Sequence, residues 1–134
     1  LKNEGFTGFS RGGQKGTWAS KPFPNDRILV VVESAIDALS YHTLHHPRQA
    51  RYISISGSMN PDQPKLIKSA IGRLPTQAQL IIATDNDTGG DELATQIRHC
   101  AEFSGRPDVS VIEHRPEVRG HDWNDVLKAA TPLP

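Results

Sequence analysis

The sequence predicts an α/β protein built on a mainly parallel sheet, and three observations carry that prediction. Short runs of β-branched and aliphatic residues, with Ile28-Leu29-Val30-Val31-Val32 the clearest, read as strands buried on both faces. Between them lie segments whose apolar residues recur at helical spacing. Strands that alternate with helices in this way pair in parallel, through right-handed crossovers.

The elements follow in order. Residues 1–27 form a glycine-rich, basic extension in which Gly5, Gly8, Gly12, Gly13 and Gly16 are closely spaced, compatible with short strands or with an open loop. The first buried strand is Ile28–Val32. A helix follows, with Ala35, Ile36, Leu39, Tyr41 and Leu44 as its apolar positions and Pro47 as its stop. Tyr52-Ile53-Ser54-Ile55 is a second strand, closed by Ser56-Gly57-Ser58. Leu66, Ile67, Ala70, Ile71 and Leu74 mark a second helix, with Pro64 near its start and Pro75 beyond its end. Leu80-Ile81-Ile82-Ala83 is a third strand that stops at Asp85. The helix after Gly90 carries Leu93, Ala94, Ile97 and Ala101 on one face. Val109-Ser110-Val111-Ile112 is a fourth strand, and Trp123 to Ala130 a terminal helix. The expected organisation is an extension at 1–27, one domain at 28–130 and a linker at 131–134, in a segment of a longer protein.

A chain of 134 residues is long enough to bury a continuous core. Fifteen Lys and Arg balance fifteen Asp and Glu. That balance argues against a protein held on duplex DNA by bulk charge alone, and leaves room for a catalytic domain that borrows affinity from its neighbours. Cys100 is the single cysteine, so no internal disulfide forms, and a reducing cytoplasm is the expected setting. No apolar run approaches the roughly 18 residues of a membrane span, so no membrane partner is expected.

The chemistry points to acids at strand ends. In an open α/β sheet ligands bind outside the carboxyl ends of the strands, and there Glu33 follows the first buried strand and Asp85 the third. Asp85 and Asp87 are two apart, so their side chains share a side while the backbone stays extended. Three carboxylates at one edge repel one another and raise each other's pKa values, a penalty that a divalent cation removes. Mg²⁺, with Mn²⁺ as a substitute, suits such a site, since it takes one or two carboxylates and fills its other positions with waters and phosphate oxygens. Gly89 and Gly90 allow a sharp turn into the next helix, whose first N–H groups could face a phosphate. Asp37, four residues after Glu33 and one turn along the same helix face, could hold a metal-bound water. The plainer reading is a cap on the third helix from Asp87 or Thr88, and for Asp122 and Asp125 a capping box on the last helix, with a supporting role near the metal as the sharper alternative. His42, His45 and His46 read as a helix end whose imidazoles complement the dipole, and Cys100 as a small buried apolar residue. Gly8 to Lys15 fails as a phosphate loop because no Lys-Ser/Thr pair is present, and Asp85 to Gln96 fails as a calcium loop because Gln96 stands where a bidentate Glu is needed.

Val30-Val31-Val32-Glu33-Ser34-Ala35-Ile36-Asp37-Ala38-Leu39, followed by Ala83-Thr84-Asp85-Asn86-Asp87-Thr88-Gly89-Gly90, resembles the two motifs of the TOPRIM family. That pattern, a strand ending in Glu and a later one ending in Asp-x-Asp-x-x-Gly, is shared by bacterial primases, type IA and type II topoisomerases, and some nucleases and recombination proteins. The resemblance covers residues 28–113 and implies a TOPRIM, Rossmann-like fold. It also implies acid/base work for Glu33, Mg²⁺ coordination by Asp85 and Asp87 with Glu33 beside them, and a supporting acid in Asp37. Ser34 departs from the Gly usual in primases. Gly12-Gly13-Gln14-Lys15-Gly16-Thr17-Trp18 and Gly120-His121-Asp122-Trp123-Asn124-Asp125 look like the TOPRIM domains of plasmid mobilisation and primase-like proteins, although His121 stands where those usually have Lys. Nucleic-acid or phosphate contacts are expected from Lys15 and Arg11, and the supporting set is Asp37, Gly90, Asp122 and Asp125.

The implied activity is Mg²⁺-dependent nucleotidyl or phosphoryl transfer of the primase type. Its partners would be DNA, single-stranded for preference, nucleoside triphosphates, and further domains such as a helicase or relaxase. Nuclease or topoisomerase-type cleavage is the alternative enzyme, and a metal- and DNA-binding module without turnover the alternative from another class. A topoisomerase would need a nucleophilic tyrosine from outside this segment, since Tyr41 and Tyr52 lie in a helix and a strand. A haloacid-dehalogenase-type phosphatase is excluded by Gly89, where that family has Thr or Val, and by the motif's place on a later strand.

Overall fold

The run Ile28–Val32 lies inside a six-stranded sheet. The computed structural model describes residues 9–11, 17–55 and 62–131, with the backbone alone at 9–11, 17 and 18. The elements run β1 (Phe9–Arg11), β2 (Thr17–Ser20), β3 (Ile28–Val32), α1 (Ala35–His45), β4 (Ala50–Ile55), α2 (Gln63–Gly72), β5 (Gln79–Ile82), α3 (Thr88–Glu102), β6 (Ser110–Glu113) and α4 (Trp123–Ala130). The sheet order is β1-β2-β4-β3-β5-β6. β4, β3, β5 and β6 pair in parallel, as the alternation of strands and helices requires. β1 and β2 add to the β4 edge antiparallel, so the glycine-rich extension contributes two strands to the same sheet. The turn residues Ser56-Gly57-Ser58 lie outside the described residues.

Helices cover both faces, and the alternation of side chains along each strand says which face takes which helix. Leu29 and Val31 of β3, with Leu80 and Ile82 of β5, pack with Ile67, Ile71 and Ile97 from α2 and α3. Val30, Val32 and Ile81 point the other way, toward Ala38 and Tyr41 of α1 and Trp123 of α4. The four β3 residues Leu29 to Val32 are fully buried. At about 1.5–3 kcal/mol per buried Val or Leu side chain, this strand dominates the local packing energy, and its position is correspondingly rigid.

The first helix differs from its apolar pattern. Ile36 is 58 % exposed, whereas Asp37, Ala38, Ser40, Tyr41 and His42 are buried. Polar residues point inward because α1 packs over groups that need partners: the His42 imidazole Nδ1 and the Tyr52 hydroxyl meet at 3.0 Å. His42 is therefore a hydrogen-bonded core residue, and only His45 and His46 lie exposed at the helix end. Ser34 caps α1, its Oγ accepting from the Asp37 N–H at 3.0 Å, which gives the departure from glycine a local reason. Glu33 thus precedes the helix rather than sharing a helical face with Asp37.

The chain order decides where a ligand can bind. From β3 the chain crosses to β4 on one side, and from β4 it crosses to β5 on the other, so the sequence of strands reverses between β3 and β5. Ligands in such sheets bind beyond the carboxyl ends of the strands at that reversal. Those ends carry Glu33 and Asp85.

Candidate functional site

The acids are positioned by rigid neighbours. Glu33 leaves β3 just above Val32, and its Oε2 accepts the Asp85 backbone N–H at 2.6 Å, tying the ends of β3 and β5 together. Asp37, one turn into α1, is 3 % exposed. Asp122 begins α4, where Asp122 and Asp125 form a reciprocal capping box: Asp125 N–H donates to Asp122 Oδ1 at 2.7 Å and Asp122 N–H to Asp125 Oδ2 at 3.0 Å. Trp123 anchors that helix by donating its Nε1–H to the Ala83 carbonyl at 3.0 Å. The result brings the start of α4 up to the end of β5.

Asp85 is the focus. Burial, followed by the charges of Asp37, Glu33, Asp122 and Asp87 in that order, pushes its carboxyl up to about 8. Burial likewise raises Glu33, opposed by the Asp85 N–H and reinforced by the charges of Asp87 and Asp37. Asp37 is raised by burial and then by Asp122. Asp85 Oδ1 and Asp37 Oδ1 are buried without a hydrogen-bond partner. Such oxygens cost free energy unless a cation or a proton reaches them.

Asp87 sits differently from its sequence neighbour two residues back. It is the N-cap of α3, its Oδ1 accepting the Gly90 N–H at 2.7 Å. Of the four charges acting on Asp85, that of Asp87 is the smallest. Gly90 has a steric rather than a torsional reason: a Cβ there would lie 1.8 Å from the Asp85 carbonyl oxygen. At Gly89 a Cβ would meet only ordinary contact, at 3.6 Å from Asp87 Oδ1, so of the two glycines only Gly90 is required by close packing. The buried Thr84 hydroxyl donates to the Gly90 carbonyl at 2.9 Å and locks the same turn.

A second segment, 114–121, wraps the acidic loop. Asn86 holds it through four contacts: its N–H to the His121 carbonyl at 3.0 Å, its carbonyl from the Gly120 N–H at 2.6 Å, its Nδ2 to the Pro116 carbonyl at 2.8 Å, and its Oδ1 from Arg119 at 3.1 Å. Gly120 takes a left-handed φ of 93° to make its bond, a conformation that suits glycine. Arg115 and Arg119 both reach Asp91 and hold its carboxyl below its usual range, Arg119 contributing most. The sequence marked Asn86 only as a member of a motif, and it gave no signal for Arg115 or Arg119, which lie some thirty residues away and meet the loop only through the fold. His121 lends its backbone carbonyl to Asn86.

Of the predicted site residues, the fold gathers Glu33, Asp37, Asp85, Asp87 and Asp122 at one sheet edge, with Gly90 packed beneath them and Asp125 one turn behind as a capping partner. Lys15 and the side chain of Arg11 lie outside the described residues. Among the described residues, no three His, Cys, Asp or Glu side chains are grouped so as to hold a metal ion by themselves. The donors nevertheless fit a hard cation that keeps most of its coordination for water and phosphate: all are carboxylate oxygens, and Asp85 Oδ1 has no other partner. A cleft of about 360 Å³ bounded by Ala101, Gly105, Arg106 and Val109 lies at the opposite end of the sheet, away from the acids. No helix among the described residues is long and apolar enough to cross a membrane.

Comparison with protein-family models matches residues 30–127 to the Toprim-like family. A search of curated proteins and a search of solved structures each found no match. The match spans both acidic motifs, the parallel strands β3 to β6 apart from the first two residues of β3, and helices α1 to α4 apart from the last three residues of α4. A domain of this kind is compatible with metal-dependent processing of nucleic acid. With the sheet reversal, the paired acidic strand ends and the matched span in agreement, this chain belongs to the Toprim-like family.

Proposed function

We propose that this chain carries out Mg²⁺-dependent nucleotidyl or phosphoryl transfer of the primase type on nucleic acid, as the Toprim domain of a DNA replication or plasmid mobilisation protein. The observation that carries the reading is Asp85: a half-buried carboxylate whose Oδ1 is buried without a partner, in the field of Glu33 and Asp37 at the reversal of the sheet. Asp85 and Asp87 are the residues that would hold the metal, with Glu33 beside them. A bound Mg²⁺ would supply neutralisation of the charge on phosphate oxygens.

The remaining work falls to the chain's own side chains. Glu33, held in place by the Asp85 N–H and raised above the usual carboxylate range by burial, is suited to take a proton from a nucleophilic hydroxyl and return it to a leaving group. Asp37 stays out of solvent, where it orients water or shares a proton with Asp85. Asp122 and Asp125 cap the start of α4, which Trp123 holds against the end of β5, and Lys15 and Arg11 are the proposed contacts to the nucleic acid from the extension.

The test is primer synthesis on a single-stranded template by the full-length protein that contains this chain, with nucleoside triphosphates and Mg²⁺. Glu33→Gln is expected to slow synthesis by about 10²-fold or more. A full-length protein that nicks the template and makes no primer would refute the primase reading and favour strand cleavage at the same site.

A further inference from the structure

Two arginines beside the acidic loop have no part in the chemistry proposed above. Arg115 and Arg119 both arrive on the segment after β6, and both grip Asp91 in the first turn of α3. Their surroundings differ. Arg115 is mostly enclosed, with 19 % of its side chain exposed; its Nη2 donates to the Asp85 carbonyl at 2.7 Å and to Asp91 Oδ1 at 2.6 Å. It is anchored to the backbone of the acidic loop. Arg119 is 58 % exposed and lies along the outside of the loop. Its two terminal nitrogens meet the two Asp91 oxygens at 3.2 and 3.1 Å, with Asn86 Oδ1 at 3.1 Å and the Thr88 hydroxyl at 3.3 Å to either side.

More than half of Arg119 is exposed, so the fork is open to an incoming anion from solvent. A tetrahedral phosphate also presents a pair of oxygens that accept the guanidinium fork, at least as well as a carboxylate does. The location favours that exchange. The acids around Asp85 repel an incoming phosphate, and the chain has no net positive charge to offset them. Arg119 is a cation at the rim of that acidic site. It sits against Thr88, where the first turn of α3 leaves backbone N–H groups without intrahelical acceptors.

We propose that Arg119 is a phosphate-contacting residue, whose fork moves from Asp91 to a phosphate of the substrate entering at the Asp85–Gly90 loop, while Arg115 stays on the Asp85 carbonyl and positions the loop. Asp91 is then the resting partner of the fork. The inference rests on the proposed function for the location of the substrate. The phosphate belongs either to the nucleic-acid strand or to a nucleoside triphosphate, and both carry the same chemistry.

Fluorescence anisotropy of the 134-residue chain separates these sources, with a fluorescein-labelled single-stranded oligonucleotide as one probe and a fluorescent nucleoside triphosphate as the other. Arg119→Gln is expected to weaken one of them about tenfold, the loss of one charge-assisted contact. If the strand is the partner, the slope of log affinity against log salt also falls by about 0.7. Arg119→Lys should recover only part of the loss, since it restores charge without the fork. Asp91→Asn, which frees the fork, should leave affinity equal or higher. Equal binding of both probes by Arg119→Gln and the unaltered chain overturns the proposal, as does an unaltered chain that binds neither. A loss in Asp91→Asn as large as that in Arg119→Gln overturns it too, because the ion pair would then be a fastening of the loop. Backbone NMR shifts induced by Mg²⁺ at Glu33 and Asp85 report separately on the proposed function. Their absence refutes the metal site whatever Arg119 does, and their presence beside an unaffected Arg119→Gln refutes only the phosphate contact.

Discussion

Replacing Asp85 with Asn should stabilise the metal-free domain at high pH while removing its response to Mg²⁺. Burial and four neighbouring acids push the Asp85 carboxyl up to about 8, from an ordinary value of 3.8. A group raised on folding keeps its proton in the folded state over a range where the unfolded chain has lost it. Its contribution is therefore fully present below about pH 4 and is lost as pH rises through about 8. Because the carboxyl is only half buried, solvent screens its neighbours and leaves a penalty of about 1–2 kcal/mol. Asn keeps the shape and never ionises. Urea unfolding in EDTA, followed by tryptophan fluorescence, should therefore show the variant more stable than the parent by about 1–2 kcal/mol at pH 9, with little difference near pH 4. Mg²⁺ at about ten times its dissociation constant should stabilise the parent by about 1.4 kcal/mol and leave the variant unmoved. A variant less stable than the parent at pH 9, or a difference independent of pH, would refute the reasoning.

Two further predictions test the scaffold. Gly90→Ala places a methyl group 1.8 Å from the Asp85 carbonyl oxygen, so the acidic loop must move; a loss of about 3 kcal/mol in urea unfolding is expected, together with loss of the Mg²⁺-induced shift at Asp85. Arg106 donates to the carbonyls of Ile71, Gly72, Leu74 and Pro75 while paired with Asp108. Arg106→Ala should lower the melting temperature and speed amide exchange at the end of α2, with the Mg²⁺ response at Glu33 and Asp85 unchanged.

Much of this architecture is legible in the sequence. Four aliphatic runs are strands: those of β3, β4 and β5 are largely buried, whereas β6 is an edge strand with Ser110, Ile112 and Glu113 exposed, and the helices between them force parallel pairing. The places of Glu33 and Asp85 at strand ends follow directly, since strand and motif overlap in the chain. The capping roles of Asp87, Asp122 and Asp125 were also readable, because a cap is a contact over three residues. The face that α1 buries was not readable. Its inward Asp37, Ser40 and His42 depend on Tyr52 and on the neighbouring acids, which a hydrophobic pattern does not register.

The strand–helix alternation, the acids at two strand ends and the turn into α3 are each set by residues a few positions apart. Which acids share a field depends on contacts distant in the chain. Asp37 and Asp122 act on Asp85 more strongly than Asp87 does, although Asp87 is its neighbour in the chain. Likewise Arg115 and Arg119 reach the loop from about thirty residues away because β6 lies beside β5. Charge–charge coupling depends on distance in space and on burial, and both are products of how β3, β5 and the start of α4 converge.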